Sequence, residues 1–167
     1  NYPPAKMPAL PWQVLRRITS PWASIHIVQT SQIGQWLQMN CSVRRMCVLP
    51  NAVQWPLPSH HPEVLPEDLI PESAPMILAA GTKAHQKGFD RLIPILRALS
   101  VHHPELHLAI AGLGSHTYKG INQQQWLRNL LGSDDLLQKR LIFPGSVGNL
   151  GDWYKRASVF VLPSRFE

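Results

Sequence analysis

The sequence predicts an α/β protein in which an open parallel sheet carries helices on both faces. Two observations support this fold class. Over residues 76–167, short apolar segments alternate with segments of helical periodicity, in the order strand, helix, strand, helix, strand, helix, strand. Three of those strand segments end at Gly or at Pro-Ser, where a sheet of this kind places its ligand-binding loops.

The first part of the chain predicts two helices and two strands. Apolar residues at helical spacing indicate a short helix over residues 12–18. A weak alternation indicates a strand over residues 24–29, and Thr30 or Ser31 is placed to cap the helix that follows. An apolar run over residues 46–49 indicates a second strand.

Residues 56–75 separate this part from the regular region. They hold six prolines and four acidic residues and show no periodicity, so we expect a linker or an edge segment between two domains. The domain prediction is therefore residues 1–55, a linker over 56–75, and a second domain over 76–167.

The second domain predicts four strands and three helices. Pro94 lies inside the first of these helices and is expected to bend or weaken an early turn. The predicted strands are residues 76–80, 106–111, 141–143 and 159–162, and the predicted helices are residues 89–99, 121–131 and 153–157.

The net charge of +6 is unevenly distributed along the chain. Residues 1–62 hold five basic residues and no Asp or Glu, together with Trp12, Trp22, Trp36 and Trp55. Such a stretch fits an anionic membrane surface or an anionic ligand, and the alternative is a solvated basic face over a core built by the tryptophans. No nucleic-acid partner is expected, because no basic repeat or RNA-recognition signature occurs.

Cysteines and histidines predict no metal site. Cys41 and Cys47 form no CxxC or zinc pattern and are expected to be reduced structural thiols, with the cytoplasm as the default location. His102, His103 and His107 lack zinc-ligand spacing and carboxylate support. No apolar run is long enough to span a bilayer. Because both ends look cut, we expect an internal fragment.

The turn over residues 81–88 predicts a phosphate-binding element. It is a glycine-bounded connection between a strand and a helix, and it contains Lys83 and Lys87. Free N–H groups at a helix N-terminus, with two cations beside them, would favour a diphosphate. The order of residues is not that of a Walker motif, and a solvated turn that carries lysines is an equally good interpretation.

Three further loops end strands at the same edge of the predicted sheet. Gly112 and Gly114 form a GxG that lacks the third glycine of a dinucleotide fingerprint, so a dehydrogenase is disfavoured. The loop over residues 145–149 could present backbone groups to a base. The last loop brings Ser164 and the carboxylate of Glu167, which could accept hydrogen bonds from sugar hydroxyls.

These segments together resemble glycosyltransferase family 4 (group 1), whose members have the GT-B fold of two Rossmann-like lobes. The resemblance lies in the runs ILAAGTKAHQKGFDRLI, HLAIAGLG, LIFPGSV and DWYKRASVFVLPSRFE, over residues 77–167. A weaker match covers residues 28–31 and 49–53, with Ala52 in place of the usual glycine. The resemblance implies that residues 1–55 end the N-terminal acceptor lobe and that residues 76–167 begin the donor-binding lobe.

The resemblance also implies roles for individual residues. Lys87 matches the lysine that neutralises the leaving diphosphate, and Gly81 matches the glycine that lets the phosphates approach. Thr82 stands where the family often has Arg, so Lys83 is expected to serve instead. Val147, Gly112, Gly114 and Ser164 fall in donor-binding loops. Glu167 matches the first glutamate of the E-x7-E motif, whose second glutamate would follow the given chain.

The resemblance implies retaining transfer of a hexose from a UDP- or GDP-sugar to a saccharide or lipid-linked acceptor, in the synthesis of a cell-surface polysaccharide. No cofactor or obligatory metal is expected, and the protein is expected in the cytoplasm or peripherally on the inner membrane surface. A non-catalytic nucleotide-sugar-binding module and a sugar-nucleotide epimerase on the same fold are the alternatives. The chain alone is expected to bind donor weakly and to transfer nothing.

Overall fold

The computed structural model describes residues 9–114 and 117–165, which divide into two compact units with a boundary between Gln54 and Trp55. The first unit pairs its two strands in parallel, with Ile27 opposite Cys47. Its elements are α1 (Leu10–Thr19), β1 (His26–Val28), α2 (Ser31–Cys41) and β2 (Met46–Val48), which agree with the predicted order.

Thr30 caps α2, as predicted, because its side chain accepts a hydrogen bond from the N–H of Ile33. The tryptophans of this unit do not build a core. Trp12 and Trp22 are exposed and Trp36 is 40% exposed, so the interpretation that they lie inside is wrong. Both thiols are free, and Cys41 is buried as expected for a structural thiol, whereas Cys47 is exposed.

The second unit contains a four-stranded parallel sheet in the order β7-β4-β3-β8, as the fold class predicted. β3 and β4 are five-residue strands in register, with Leu78 opposite Ala109. The strands of this sheet are β3 (Met76–Ala80), β4 (His107–Ala111), β7 (Leu141–Gly145) and β8 (Val159–Phe160), and a separate antiparallel hairpin contains β5 (Thr117–Tyr118) and β6 (Ile121–Asn122).

Five helices accompany the sheet: α3 (Ala84–Lys87), α4 (Leu92–Ser100), α5 (Gln123–Leu131), α6 (Asp135–Arg140) and α7 (Leu150–Arg156). Alternate residues of β3 belong to two different buried clusters. Ile77 and Ala79 pack with α4, α5 and α6, whereas Met76 and Leu78 pack with Trp153 of α7. Because successive side chains of a strand point to opposite faces, the sheet is covered on both sides.

The segment over residues 56–75 packs against this sheet rather than standing apart from it. It contains a 3₁₀ turn (Pro66–Asp68), and Ile70 is 1% exposed within the cluster around Trp153. The indole N–H of Trp153 donates to Val64 O at 2.8 Å. Arg156 donates from one guanidinium nitrogen to two carbonyl oxygens of the segment, those of Pro71 and Ala74.

Two local differences from the predicted elements have clear causes. The predicted helix over residues 89–99 consists of a 3₁₀ turn (Phe89–Arg91) followed by α4, and the short helix α3 precedes it within the predicted 81–88 turn, where it ends at Gly88, whose φ is +70°. Pro94 lies in the first turn of α4, where its missing N–H has no helical partner to lose, so it removes no hydrogen bond of that helix. The β5–β6 hairpin and α6 were not predicted, because these elements are too short to show periodicity.

Candidate functional site

The sheet topology predicts a ligand crevice between the carboxyl ends of β3 and β8. The chain proceeds from β3 through β4 to β7 and then adds β8 on the opposite side of β3. Connections leave such a switch point toward opposite faces of the sheet and so open a crevice. The 81–88 turn follows β3 and residues 161–165 follow β8, so two of the predicted loops border this position.

The 81–88 turn does not offer the array of free N–H groups that the sequence suggested. The N–H of Gly81 donates to Ala111 O at 2.9 Å, and the N–H of Ala84 donates to the side chain of Gln123 at 2.6 Å. The helix that follows, α3, has only four residues, too few for a substantial dipole. The start of α3 therefore lacks the free N–H of Ala84, and the phosphate-binding role of the turn stays a prediction.

Two other residues of the turn are better placed as donors. Thr82 and Lys83 are exposed, and no hydrogen bond engages their N–H groups within the described ranges 9–114 and 117–165. These N–H groups, with the Lys83 ammonium, leave the turn able to bind an anion through its middle rather than through the helix end.

Gly81 permits a close approach by Lys87. A Cβ atom at Gly81 would lie 3.0 Å from Lys87 Cγ and 3.2 Å from Phe89 Cζ. Lys87 is half-buried, and its aliphatic portion passes over the glycine at the end of β3. The structure thus brings together the glycine and the lysine that the resemblance paired, beside the switch point.

Arg165 joins the segment after β8 to the 81–88 turn. Its guanidinium forms two hydrogen bonds with the carboxylate of Asp90, both at 2.6 Å, and donates to His85 O at 2.9 Å. Its backbone N–H donates to Gln86 O at 2.9 Å. A bidentate pair with two further backbone bonds fixes the relative position of the two loops.

The ion pair between Asp90 and Arg165 shifts the pKa of both groups. The hydrogen bond from Arg165 lowers the pKa of Asp90, and it outweighs burial, which acts in the opposite direction. The same hydrogen bond raises the pKa of Arg165. Both groups therefore stay charged at neutral pH, and the loops stay joined by an ion pair that is only about one-fifth exposed, with side-chain exposures of 24% and 20%.

Gln123, on α5, forms hydrogen bonds with the 81–88 turn. It is the first residue of α5 and is 3% exposed. Its side-chain oxygen accepts the N–H of Ala84, and its side-chain nitrogen donates to Thr82 O at 3.1 Å. Neither Gln123 nor the Asp90–Arg165 pair was identified from the sequence, because only the folded chain brings these residues to the turn.

The second glycine loop lies directly beside the first. The N–H of Gly112 donates to Gly145 O at 2.7 Å, and a Cβ at Gly112 would lie 3.2 Å from Gly81 O. Because Gly112 also has φ +88°, glycine is required there on two counts. Gly114 is exposed, and no heavy atom of the described residues lies within 4 Å of its Cβ position.

The loop over residues 145–149 is partly covered by the preceding segment. Gly148 exchanges backbone hydrogen bonds with His60 and Pro62, at 3.1 and 2.6 Å. Val147 is half-buried and packs on the cluster around Trp153. Any base contact from this loop would therefore involve backbone groups that His60 and Pro62 leave accessible.

The last predicted loop is described only as far as Arg165. Ser164 is placed at this edge, and its Oγ is buried without a hydrogen-bond partner in the described part of the chain. Glu167, the predicted sugar-binding carboxylate, lies outside the described residues. A depression of about 530 Å³ elsewhere in the unit is lined by residues of α5, α6 and β7, and none of the predicted site residues lines it.

The comparisons with known proteins fit this arrangement. A family model described as "Glycosyl transferases group 1" matches residues 62–167, which is more than half of the chain. The chain belongs to the glycosyl transferases group 1 family. The family match begins within the 56–75 segment, which in this glycosyltransferase domain packs against the sheet.

Several relatives extend the comparison. This glycosyltransferase chain is 36% identical over 98 residues to the mannosylfructose-phosphate synthase of Agrobacterium fabrum, which is 55% of the chain and 21% of that protein. Its fold resembles that of a sucrose-phosphate synthase from Thermosynechococcus elongatus, with a TM-score of 0.70 and 19% identity over 100% of the chain and 41% of that structure. It also resembles TarM, with a TM-score of 0.66 and 14% identity over 93% of the chain and 28% of that structure. The chain thus spans less than half the length of each of these proteins.

The described residues form neither a metal-binding cluster nor a membrane-spanning helix. No group of three or more His, Cys, Asp or Glu side chains within ranges 9–114 and 117–165 is arranged to hold a metal ion. In the same part of this glycosyltransferase chain, no helix combines the length and apolar character needed to cross a bilayer.

Proposed function

We propose that this domain binds the nucleotide-sugar donor of a retaining glycosyltransferase of family 4. The observation that carries the proposal is the meeting of the 81–88 turn with residues 163–165 at the switch point of the sheet. Arg165 bonds to Asp90 and to the backbone of residues 85 and 86, so a phosphate-binding turn and a sugar-binding loop would form one crevice.

The donor's diphosphate would lie against the middle of the turn. Lys83 and Lys87 supply positive charge there, and the N–H groups of Thr82 and Lys83 point to no partner within residues 9–114 and 117–165. Preorganised donors aimed at a departing oxyanion are worth roughly 3–4 kcal/mol each in the transition state. This arrangement would therefore favour breaking the bond between the sugar and the diphosphate.

The reaction we propose retains configuration at the anomeric carbon. The bond from C1 to the diphosphate oxygen breaks with its electron pair on the phosphate, and the acceptor oxygen bonds to C1 on the same face. The acceptor proton passes to the leaving phosphate, so the protein need not supply a base. Lys87 would stabilise the charge on the phosphate, and Ser164 and Glu167 would bind sugar hydroxyls.

The donor is expected to be a UDP- or GDP-hexose, and the acceptor a saccharide or lipid-linked saccharide in cell-surface polysaccharide synthesis. The names of two relatives, mannosylfructose-phosphate synthase and sucrose-phosphate synthase, add a sugar phosphate as a candidate acceptor. The cytoplasmic location, the peripheral membrane contact and the absence of a metal requirement stay predictions.

Two experiments test the proposal. Calorimetric titration of the protein with UDP, GDP and ADP should show binding of at least one nucleoside diphosphate, and EDTA should leave it unchanged. Transfer by the full-length protein from a labelled UDP- or GDP-hexose, followed by NMR of the product, should show that the product keeps the anomeric configuration of the donor. Absence of all nucleotide binding would contradict the proposal, and an inverted anomer would contradict the mechanism alone.

A further inference from the structure

We propose that Gln123 is a positioning residue that holds residues 82–84 in the conformation that receives the donor diphosphate. The inference rests on the proposed function. It concerns a residue that lies outside every motif by which the family resemblance was recognised, on a helix that begins 39 residues after Ala84.

One side chain fixes the backbone on both sides of Lys83. Gln123 Oε1 accepts the N–H of Ala84 at 2.6 Å, and Nε2 of the same amide donates to Thr82 O at 3.1 Å. The amide is planar, so these two bonds together set the orientation of the peptide groups that flank Lys83. The N–H groups of Thr82 and Lys83, the proposed phosphate donors, belong to this restrained stretch.

The start of α3 has no side-chain cap of its own. Lys83 occupies the N-cap position of α3 but forms no side-chain capping bond, and α3 is a single turn of four residues. Gln123 therefore supplies an acceptor for one of the N–H groups that a helix start leaves without an intrahelical partner. Because Gln123 is 3% exposed, water has little access to replace it.

The start of α5 is itself well anchored. Asn122 caps α5 by accepting the N–H groups of Gln124 and Gln125. The side chain of Gln124 donates to Leu113 O at 3.3 Å, in the second glycine loop. Gln123 thus bonds to the 81–88 turn, and Gln124 bonds to the second glycine loop. The first turn of α5 supports both loops.

The test compares Gln123→Met with Gln125→Met. Methionine keeps the length of the side chain but cannot form either bond. Gln125 is exposed on the same helix, and its side-chain amide donates to Asn129 Oδ1 at 2.8 Å, so it is a matched control. Affinities for UDP and UMP, or for GDP and GMP, are measured by calorimetry for each protein.

We expect Gln123→Met to lose about tenfold in affinity for the diphosphate, the size of effect that a buried unpaired amide produces, while its affinity for the monophosphate changes little. Hydrogen exchange of the Ala84 N–H, which Gln123 accepts in the unsubstituted protein, should accelerate in the same variant. Gln125→Met should match the unsubstituted protein in both measurements.

An unchanged preference for diphosphate over monophosphate in folded Gln123→Met would overturn the inference. If that variant does not fold, Gln123→Glu decides, because it keeps an acceptor for Ala84 and loses the donor to Thr82. Retained diphosphate preference in Gln123→Glu would equally contradict the proposal. Failure of the unsubstituted protein to bind any nucleotide is a different result, which would overturn the proposed function and this inference together.

Discussion

Lys87 offers the most direct test of the proposed chemistry at the scale of a single residue. In the full-length enzyme, we expect Lys87→Ala to lower the rate of transfer by about a hundredfold to a thousandfold, because it removes a cation from the leaving diphosphate. Initial rates with saturating donor measure the effect. Lys155→Ala, which removes an exposed lysine on α7, is the control and should retain full activity. Nearly intact turnover in Lys87→Ala would show that the assignment is wrong.

Asp90 belongs to the same scale, and its ion pair makes a prediction about pH. Asp90→Asn should reduce the free energy of unfolding by about 2 kcal/mol at pH 7, since it weakens a bidentate pair with Arg165. The pKa of Asp90 is lowered in the folded state, so its contribution is complete above the unfolded pKa of about 4 and is lost as pH falls through the folded value.

Urea unfolding of the two proteins between pH 7 and pH 3 measures this contribution. The difference in stability should be constant down to about pH 4 and should shrink below it. Asp152→Asn provides a control, because Asp152 pairs at 3.5 Å with an exposed lysine and should change stability by less than about 0.5 kcal/mol. A difference that grew with acidity would contradict the role given to the ion pair.

At the scale of elements, the break between α3 and α4 depends on one close approach. Gly88 has φ +70°, and the position of a Cβ there is occupied by the carbonyl oxygen of Pro163, in the loop after β8. The backbone at the end of α3 therefore contacts the backbone after β8 directly, and any side chain would separate them. The glycine that ends α3 is what allows the two loops to meet.

Gly88→Ala tests this contact, and Gly120 in the turn between β5 and β6 is the control. Gly120 has φ +78°, and no heavy atom of the described residues lies within 4 Å of its Cβ position. Gly120→Ala should cost about 1 kcal/mol for the positive φ alone. Gly88→Ala should cost clearly more, because Pro163 must also move, and it should weaken nucleotide binding. If chemical denaturation showed equal losses in the free energy of unfolding for the two variants, the close approach to Pro163 would make no contribution to stability.

At the scale of the second unit as a whole, Trp153 connects α7, the sheet and the 56–75 segment. It is fully buried, and its indole donates to Val64 O at 2.8 Å. Trp153→Phe should lower the free energy of unfolding by about 2–3 kcal/mol, through lost volume and an unpaired carbonyl. Trp126→Phe, at the partly buried edge of the other cluster, should cost less. Thermal and urea unfolding of both variants measure the difference.

Faster proteolysis within residues 56–75 is the companion result for Trp153→Phe, because the segment loses a point of attachment. Protease resistance equal to that of the unsubstituted protein would indicate that Arg156, which bonds to Pro71 O and Ala74 O, holds the segment by itself.

Much of the second unit could be predicted from the sequence, because its strands and longer helices have strong periodicity. The strands at residues 76–80 and 107–111 and the positions of the glycine loops follow from apolar runs that end at glycine. What could not be predicted depends on contacts between distant residues. The engagement of Ala84 by Gln123 and of Asp90 by Arg165 has no local signal, and neither does the covering of Gly148 by His60.

The placement of β8 beside β3 also bears on the order in which the protein can assemble. Asp90 and Arg165 are 75 positions apart, and the first partner leaves the ribosome long before the second. Contacts between residues so far apart in sequence form late, because closing the intervening chain costs conformational entropy. The two partners of the ion pair therefore meet only after β8 has been synthesised, and a nascent chain that ended before β8 would have its core strands without a complete ligand crevice.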